Sequence, residues 1–122
     1  MINVSETTTS SWARPSRLER RENRRYAFIA DVELVDLESG LAIRARTADL
    51  SRGGCYVDML NPLTEGSVVT LRLRKSQHVF EAQAKVVYAR AGLGMGLMFV
   101  DLGRIERSVL ETWIAQLTER PC

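Results

Sequence analysis

Cysteine, histidine, proline and aromatic residues are all scarce in this chain of 122 residues. Two cysteines, Cys55 in mid-chain and Cys122 at the end, imply no framework of bridges. A single histidine, His78, with no CxxC pair leaves a structural zinc site without ligands, so no metal is expected. The same poverty argues against an enzyme: His78 lies in a polar stretch, and Asp49 and Ser51 have no base beside them to complete a triad. No catalytic residue is assigned. Nothing approaches the ~20 consecutive apolar residues of a membrane span, so membrane insertion is not expected. The N-terminus has no apolar stretch behind basic residues, which points away from secretion and toward the cytoplasm. Aromatics make up 7% of the chain, too few for the stacking platforms of a single-strand-binding barrel. A net charge of +2 does not call for a nucleic acid polymer as partner.

What is present is ordinary globular material, 45% hydrophobic and 26% charged, in a length that suits one domain plus a tail. Residues 1–18 are rich in Ser and Thr, carry Trp12 as a lone aromatic and are broken by Pro15, which reads as a flexible N-terminal tail. Residues 19–120 read as a single domain. Within it Phe28, Ala30, Val32 and Leu34 alternate with Ile29, Asp31, Glu33 and Val35, the period of two that marks a half-buried strand. A turn at Glu38-Ser39-Gly40 and renewed alternation over 41–50 predict a hairpin. Further strands are predicted over 55–58, 68–74, 80–88 and 92–100, with Phe80, Ala82, Ala84, Val86 and Tyr88 forming one alternating set and 75–78 as a connection. Six short strands without crossover helices predict an all-β, six-stranded antiparallel barrel. The period then changes. Over 104–118, Ile105, Leu110, Trp113, Ile114 and Leu117 recur at helical spacing, predicting one C-terminal amphipathic α-helix that caps or flanks the barrel, with Trp113 in the core or over the opening.

Two strings bear chemistry. Arg20-Arg21-Glu22-Asn23-Arg24-Arg25 places Arg21 and Arg25 four residues apart, a spacing that brings both guanidiniums to one side of an extended or helical backbone. Forked, permanently charged donors suit a ligand with several phosphate or base-edge acceptors. Asp49-Leu50-Ser51-Arg52-Gly53-Gly54 offers an anionic acceptor, a small hydroxyl and glycines where a backbone can come close. The first string precedes the first strand and the second ends that strand's hairpin partner. Antiparallel pairing would therefore bring both to one rim, where together they fit a nucleotide better than a bare phosphate.

These strings, their order and the Gly94-Met95-Gly96-Leu97-Met98-Phe99 segment resemble the PilZ domain, the bacterial receptor module for cyclic di-GMP, over about residues 20–118. The family's Arg-x-x-x-Arg motif matches Arg21 to Arg25, and its Asp/Asn-x-Ser-x-x-Gly motif matches Asp49, Ser51 and Gly54. The resemblance implies that Arg21 and Arg25 contact phosphates and the Hoogsteen edge of guanine. It implies that Asp49 accepts from guanine N1 and N2, that Ser51 hydrogen-bonds the ligand and that Gly54 admits its close approach. Arg20 matches members that bind a stacked ligand dimer, while Arg24 stands where proline is frequent. Arg52 either adds a phosphate contact or faces solvent. By resemblance the chain is a cyclic di-GMP receptor or adaptor without a cofactor that signals to an unidentified effector protein. The alternative is an adaptor of the same fold that works through protein contacts alone.

Overall fold

The computed structural model describes residues 24–118, so the tail expected over 1–18, together with Arg20 and Arg21, lies outside the described residues. Seven strands run in chain order: β1 (Tyr26–Ala27), β2 (Asp31–Asp36), β3 (Ala42–Leu50), β4 (Gly54–Asp58), β5 (Val68–Lys75), β6 (His78–Arg90) and β7 (Gly94–Val100). One helix, α1 (Arg104–Thr118), follows. Every pairing is antiparallel. The order β3-β2-β5-β6-β7-β4 closes on itself because β4 also pairs with β3. The result is a six-stranded barrel, with the two-residue β1 extending the line of β2 along β3.

Alternating sequence becomes alternating burial. Phe28, Ala30, Val32 and Leu34 face the core while Ile29, Asp31 and Glu33 are exposed, and Val69, Leu71 and Leu73 repeat the pattern on β5. The expected single first strand is interrupted. Ala27 pairs with Asp49 and Asp31 with Arg46, so three residues of the first strand (28, 29 and 30) face only two of β3 (47 and 48). The buried Thr47 hydroxyl fills this bulge, accepting from the Ala30 N–H at 3.0 Å and donating to the Phe28 carbonyl at 2.6 Å. Two more register shifts fall between Thr47 and Asp49 on β3 and between Val86 and Tyr88 on β6. The expected connection at 75–78 is shorter in the structure, since Lys75 still pairs with His78 and only residues 76 and 77 turn.

Helix α1 seals the core at the barrel end where β3 stops and β4 starts. Trp113 is buried, its ring 5.2 Å from that of Phe28 and 6.2 Å from that of Phe80. Leu110 and Ile114 are buried beside it. Truncating a side chain as enclosed as Ile114 to Ala costs about 2–5 kcal/mol. Helical spacing grouped Ile105 with this face, yet in the first turn it is 75% exposed; full burial starts at Leu110.

Candidate functional site

The convergence expected of the two strings is realised for the part of them that is described. Tyr26 pairs with Leu50 and Ala27 with Asp49, which sets Arg24 and Arg25 beside the end of β3. Asp49 is the partly buried acid of this junction. Burial raises its pKa above the ordinary 3.8, while the nearby Arg25 charge and a 3.1 Å hydrogen bond donated by the Tyr56 N–H to Oδ1 pull the other way without cancelling the rise. The register shift next to Thr47 is what sets Asp49 opposite Tyr56. Arg24 lies with its guanidinium carbon 5.9 Å from the centroid of the Tyr26 ring.

Ser51 and Gly54 have structural employment. The fully buried Ser51 hydroxyl accepts from the N–H groups of Gly53 and Gly54, both at 3.1 Å, and contacts the Gly54 carbonyl at 3.3 Å. A side-chain-capped turn of this kind holds the loop in one conformation. Gly54 sits so close to β7 that a Cβ would overlap the Leu97 carbonyl oxygen. Arg52 does not simply face solvent. Its guanidinium forks onto Glu111 of α1, with Nε to Oε2 at 2.8 Å and Nη2 to Oε1 at 3.1 Å, tying the loop to the helix.

Sequence periodicity misplaced one residue of this wall. Tyr88 shares the phase of the inward set on β6, but Val86 and Val87 are both buried, and the bulge between Val86 and Tyr88 reverses the alternation. Ala89 then packs against the core, and Tyr88 stands on the outside opposite Gly96, whose other partner is Tyr56. Adjacent valines in an alternating strand were the available signal. The Tyr56 hydroxyl is pushed to higher pKa by burial and by neighbouring Tyr88 and Asp58, with Arg90 opposing, so it remains an O–H donor at neutral pH. Among the described residues no His, Cys, Asp and Glu group is arranged to hold a metal ion. No helix among them is long and apolar enough to cross a membrane.

A closed six-stranded barrel with one C-terminal helix, and Arg24 and Arg25 set beside the Asp49 end of β3 at its rim, define the class. The family model described as PilZ domain matches residues 19–116, and the chain belongs to that family. No curated protein sequence matches it. Among solved structures, the PilZ domain of CeSA from a cellulose-synthesising bacterium is 21% identical with a TM-score of 0.63, over 79% of this chain and 99% of that one. The PilZ domain of YcgR from Escherichia coli, solved with c-di-GMP, is 18% identical with a TM-score of 0.67, over 81% and 92%. The inhibitor of motility MotI/DgrA of Bacillus subtilis is 23% identical with a TM-score of 0.65, over 87% of this chain and 56% of that one. At these identities the likeness is one of fold.

Proposed function

We propose that the protein is a cytoplasmic, non-enzymatic receptor for cyclic di-GMP, which binds at the rim where Arg25 meets Asp49. The β1–β3 register carries this proposal, because it brings a guanidinium and a partly buried carboxylate from distant parts of the chain to one edge. Arginine forked onto O6 and N7 is the commonest specific contact to guanine, and a carboxylate suits the base's N1 and N2 donors. Arg21 joins Arg25 on the ligand, and Arg20 supplies the further charge that a second, stacked copy requires. Ser51 and Gly54 give the loop its shape and present its backbone to the ligand. Binding orders the arginine segment against the barrel and so makes a surface for an effector protein. Charge-assisted hydrogen bonds of roughly 1.5–3 kcal/mol each offset the ordering of a few residues at ~1–2 kcal/mol apiece. The YcgR domain, of the same fold, was solved with c-di-GMP, which supports the choice of ligand.

Calorimetric titration tests this. Arg21→Ala and Arg25→Ala are each expected to weaken binding at least tenfold, a loss of ~1.4 kcal/mol; unchanged affinity in both overturns the assignment. A second reading, an adaptor that needs no ligand, draws on two observations: the Ser51 hydroxyl and the Arg52 fork are already engaged within the protein. The motility inhibitor of the same fold is consistent with it. A flat titration of folded wild-type protein would favour that reading.

A further inference from the structure

One side of the first strand faces a helix where a strand could lie. The last pair between β2 and β5 joins Asp31 to Arg74, and the β5–β6 connection then turns at residues 76 and 77. Residues 27–29 therefore have β3 on one side and, among the described residues, no strand on the other. The last turns of α1 face them there across a cavity of about 530 Å³. Phe28, Ile29, Trp113 and Leu117 supply its apolar lining, and Lys75 borders it. Phe28 and Trp113 are buried and Leu117 is partly buried, whereas Ile29 is 61% exposed. Scattered exposed apolar residues are ordinary on a protein surface. An exposed isoleucine that lines a cavity together with two aromatic rings and a leucine instead offers an apolar side chain a place to pack.

Lys75 narrows the choice of occupant. Its ammonium donates to the Ile29 carbonyl at 2.8 Å and lies 5.4 Å from the centroid of the Phe28 ring. It enters none of the four ion pairs among the described residues, and the residue is exposed. An ammonium held in place by a backbone carbonyl attracts the face of an aromatic ring and repels a cation. The cavity thus suits an aromatic side chain better than an aliphatic or a basic one.

The chain carries such a group within reach. Trp12, outside the described residues, is the sole aromatic residue before Tyr26, and residues 13–23 join it to Arg24, where the described chain starts. That stretch spans up to about 36 Å when extended, and Ala27 at the border of the cavity is no more than about 10 Å from Arg24. A short tether supplies a local concentration on the order of millimolar. A contact of only millimolar affinity is then enough to keep the ring in place about half of the time.

We propose that this cavity receives Trp12 of the same chain, its indole packed between Ile29 and Leu117 with one face toward the Lys75 ammonium. Ala27 borders the cavity and pairs with Asp49, so the docked tryptophan closes residues 13–23 into a loop over the barrel end that carries the rim acid. Arg20 and Arg21 belong to that loop and are held near the rim before anything binds. The docking is independent of which ligand the rim recognises.

The test uses the full chain with 5-fluorotryptophan in place of its two tryptophans, read by fluorine NMR, with Trp12→Phe identifying the Trp12 resonance. In the native protein that resonance is expected away from its position in the urea-unfolded chain. Ile29→Ser and Lys75→Ala, both checked for unchanged thermal unfolding, are each expected to lower the docked population at least twofold, the scale of an exposed cation–π contact. A wild-type Trp12 resonance at its unfolded position overturns the proposal. So does a displaced resonance that either folded variant leaves in place. Displacement that grows with protein concentration assigns the cavity to Trp12 of a second copy and overturns closure within one chain.

Discussion

On the barrel wall built from β3, β2, β5 and β6, arginines and acids answer one another across strands: Arg44 and Glu33 at 3.5 Å, Arg46 and Asp31 at 3.9 Å, Arg72 and Glu81 at 2.6 Å. On the opposite wall, where β4, β7 and the end of β6 run up to the rim, Asp49 is partly buried at a burial-raised pKa and Arg90 lies on a tyrosine ring. The first wall pairs three of its arginines with acids across strands, which favours one strand register. The second holds a carboxylate in a position that burial makes unfavourable, beside aromatic rings and a glycine stripe. Groups held at such a cost to the free protein are where a ligand has most to gain.

Substitutions can break this contrast in order of effect. Gly54→Val forces a side chain into the Leu97 carbonyl and should cost about 3 kcal/mol or more, read by urea unfolding; a near-neutral result would mean that β4 and β7 are not so closely set. Asp49→Asn should weaken cyclic di-GMP at least tenfold while stabilising the free protein. Because the folded-state pKa of Asp49 lies above 3.8, the native protein keeps this proton to higher pH than the unfolded chain does. Stability associated with the neutral acid is therefore present at low pH and lost as pH rises through that window. The melting-temperature advantage of Asp49→Asn should be absent in acid and appear by neutral pH; an advantage that shrinks as pH rises would contradict the burial of the charge. Glu111→Ala, which frees Arg52 from a half-exposed pair, should lower stability by only about 0–1 kcal/mol, measured by denaturant unfolding. Glu33→Gln on the self-paired wall should shift stability by no more than about 0.5 kcal/mol and leave ligand affinity unchanged; a tenfold affinity change there would erase the distinction between the walls.

Most of the barrel was legible because its strands are amphipathic. Val32 and Leu34, or Leu71 and Leu73, report their burial through spacing alone, and the switch of period after Val100 announces the helix. Misreadings occurred where a single extra residue breaks the phase. The bulge beside Val87 turned Tyr88 from core to surface, and the bulge at 28–30 is held by a Thr47 hydroxyl that no local pattern reveals. The meeting of Arg25 with Asp49 could be inferred from hairpin logic. The Arg52–Glu111 fork, between residues 59 positions apart, depends on where the helix docks and was beyond reach. Ser51 and Gly54 stood out in the sequence as ligand contacts by resemblance; the structure adds their part in holding the loop and the β4–β7 approach.

Amide and ring chemical-shift mapping of the full chain during titration with cyclic di-GMP addresses both walls at once. Shifts should gather at Arg25, Ala27, Asp49, Gly53, Gly54 and Tyr56, while Glu33, Arg44, Arg72 and Glu81 stay in place. Saturable shifts centred on those four residues, or none at all in folded protein under excess ligand, would contradict a binding site at the rim.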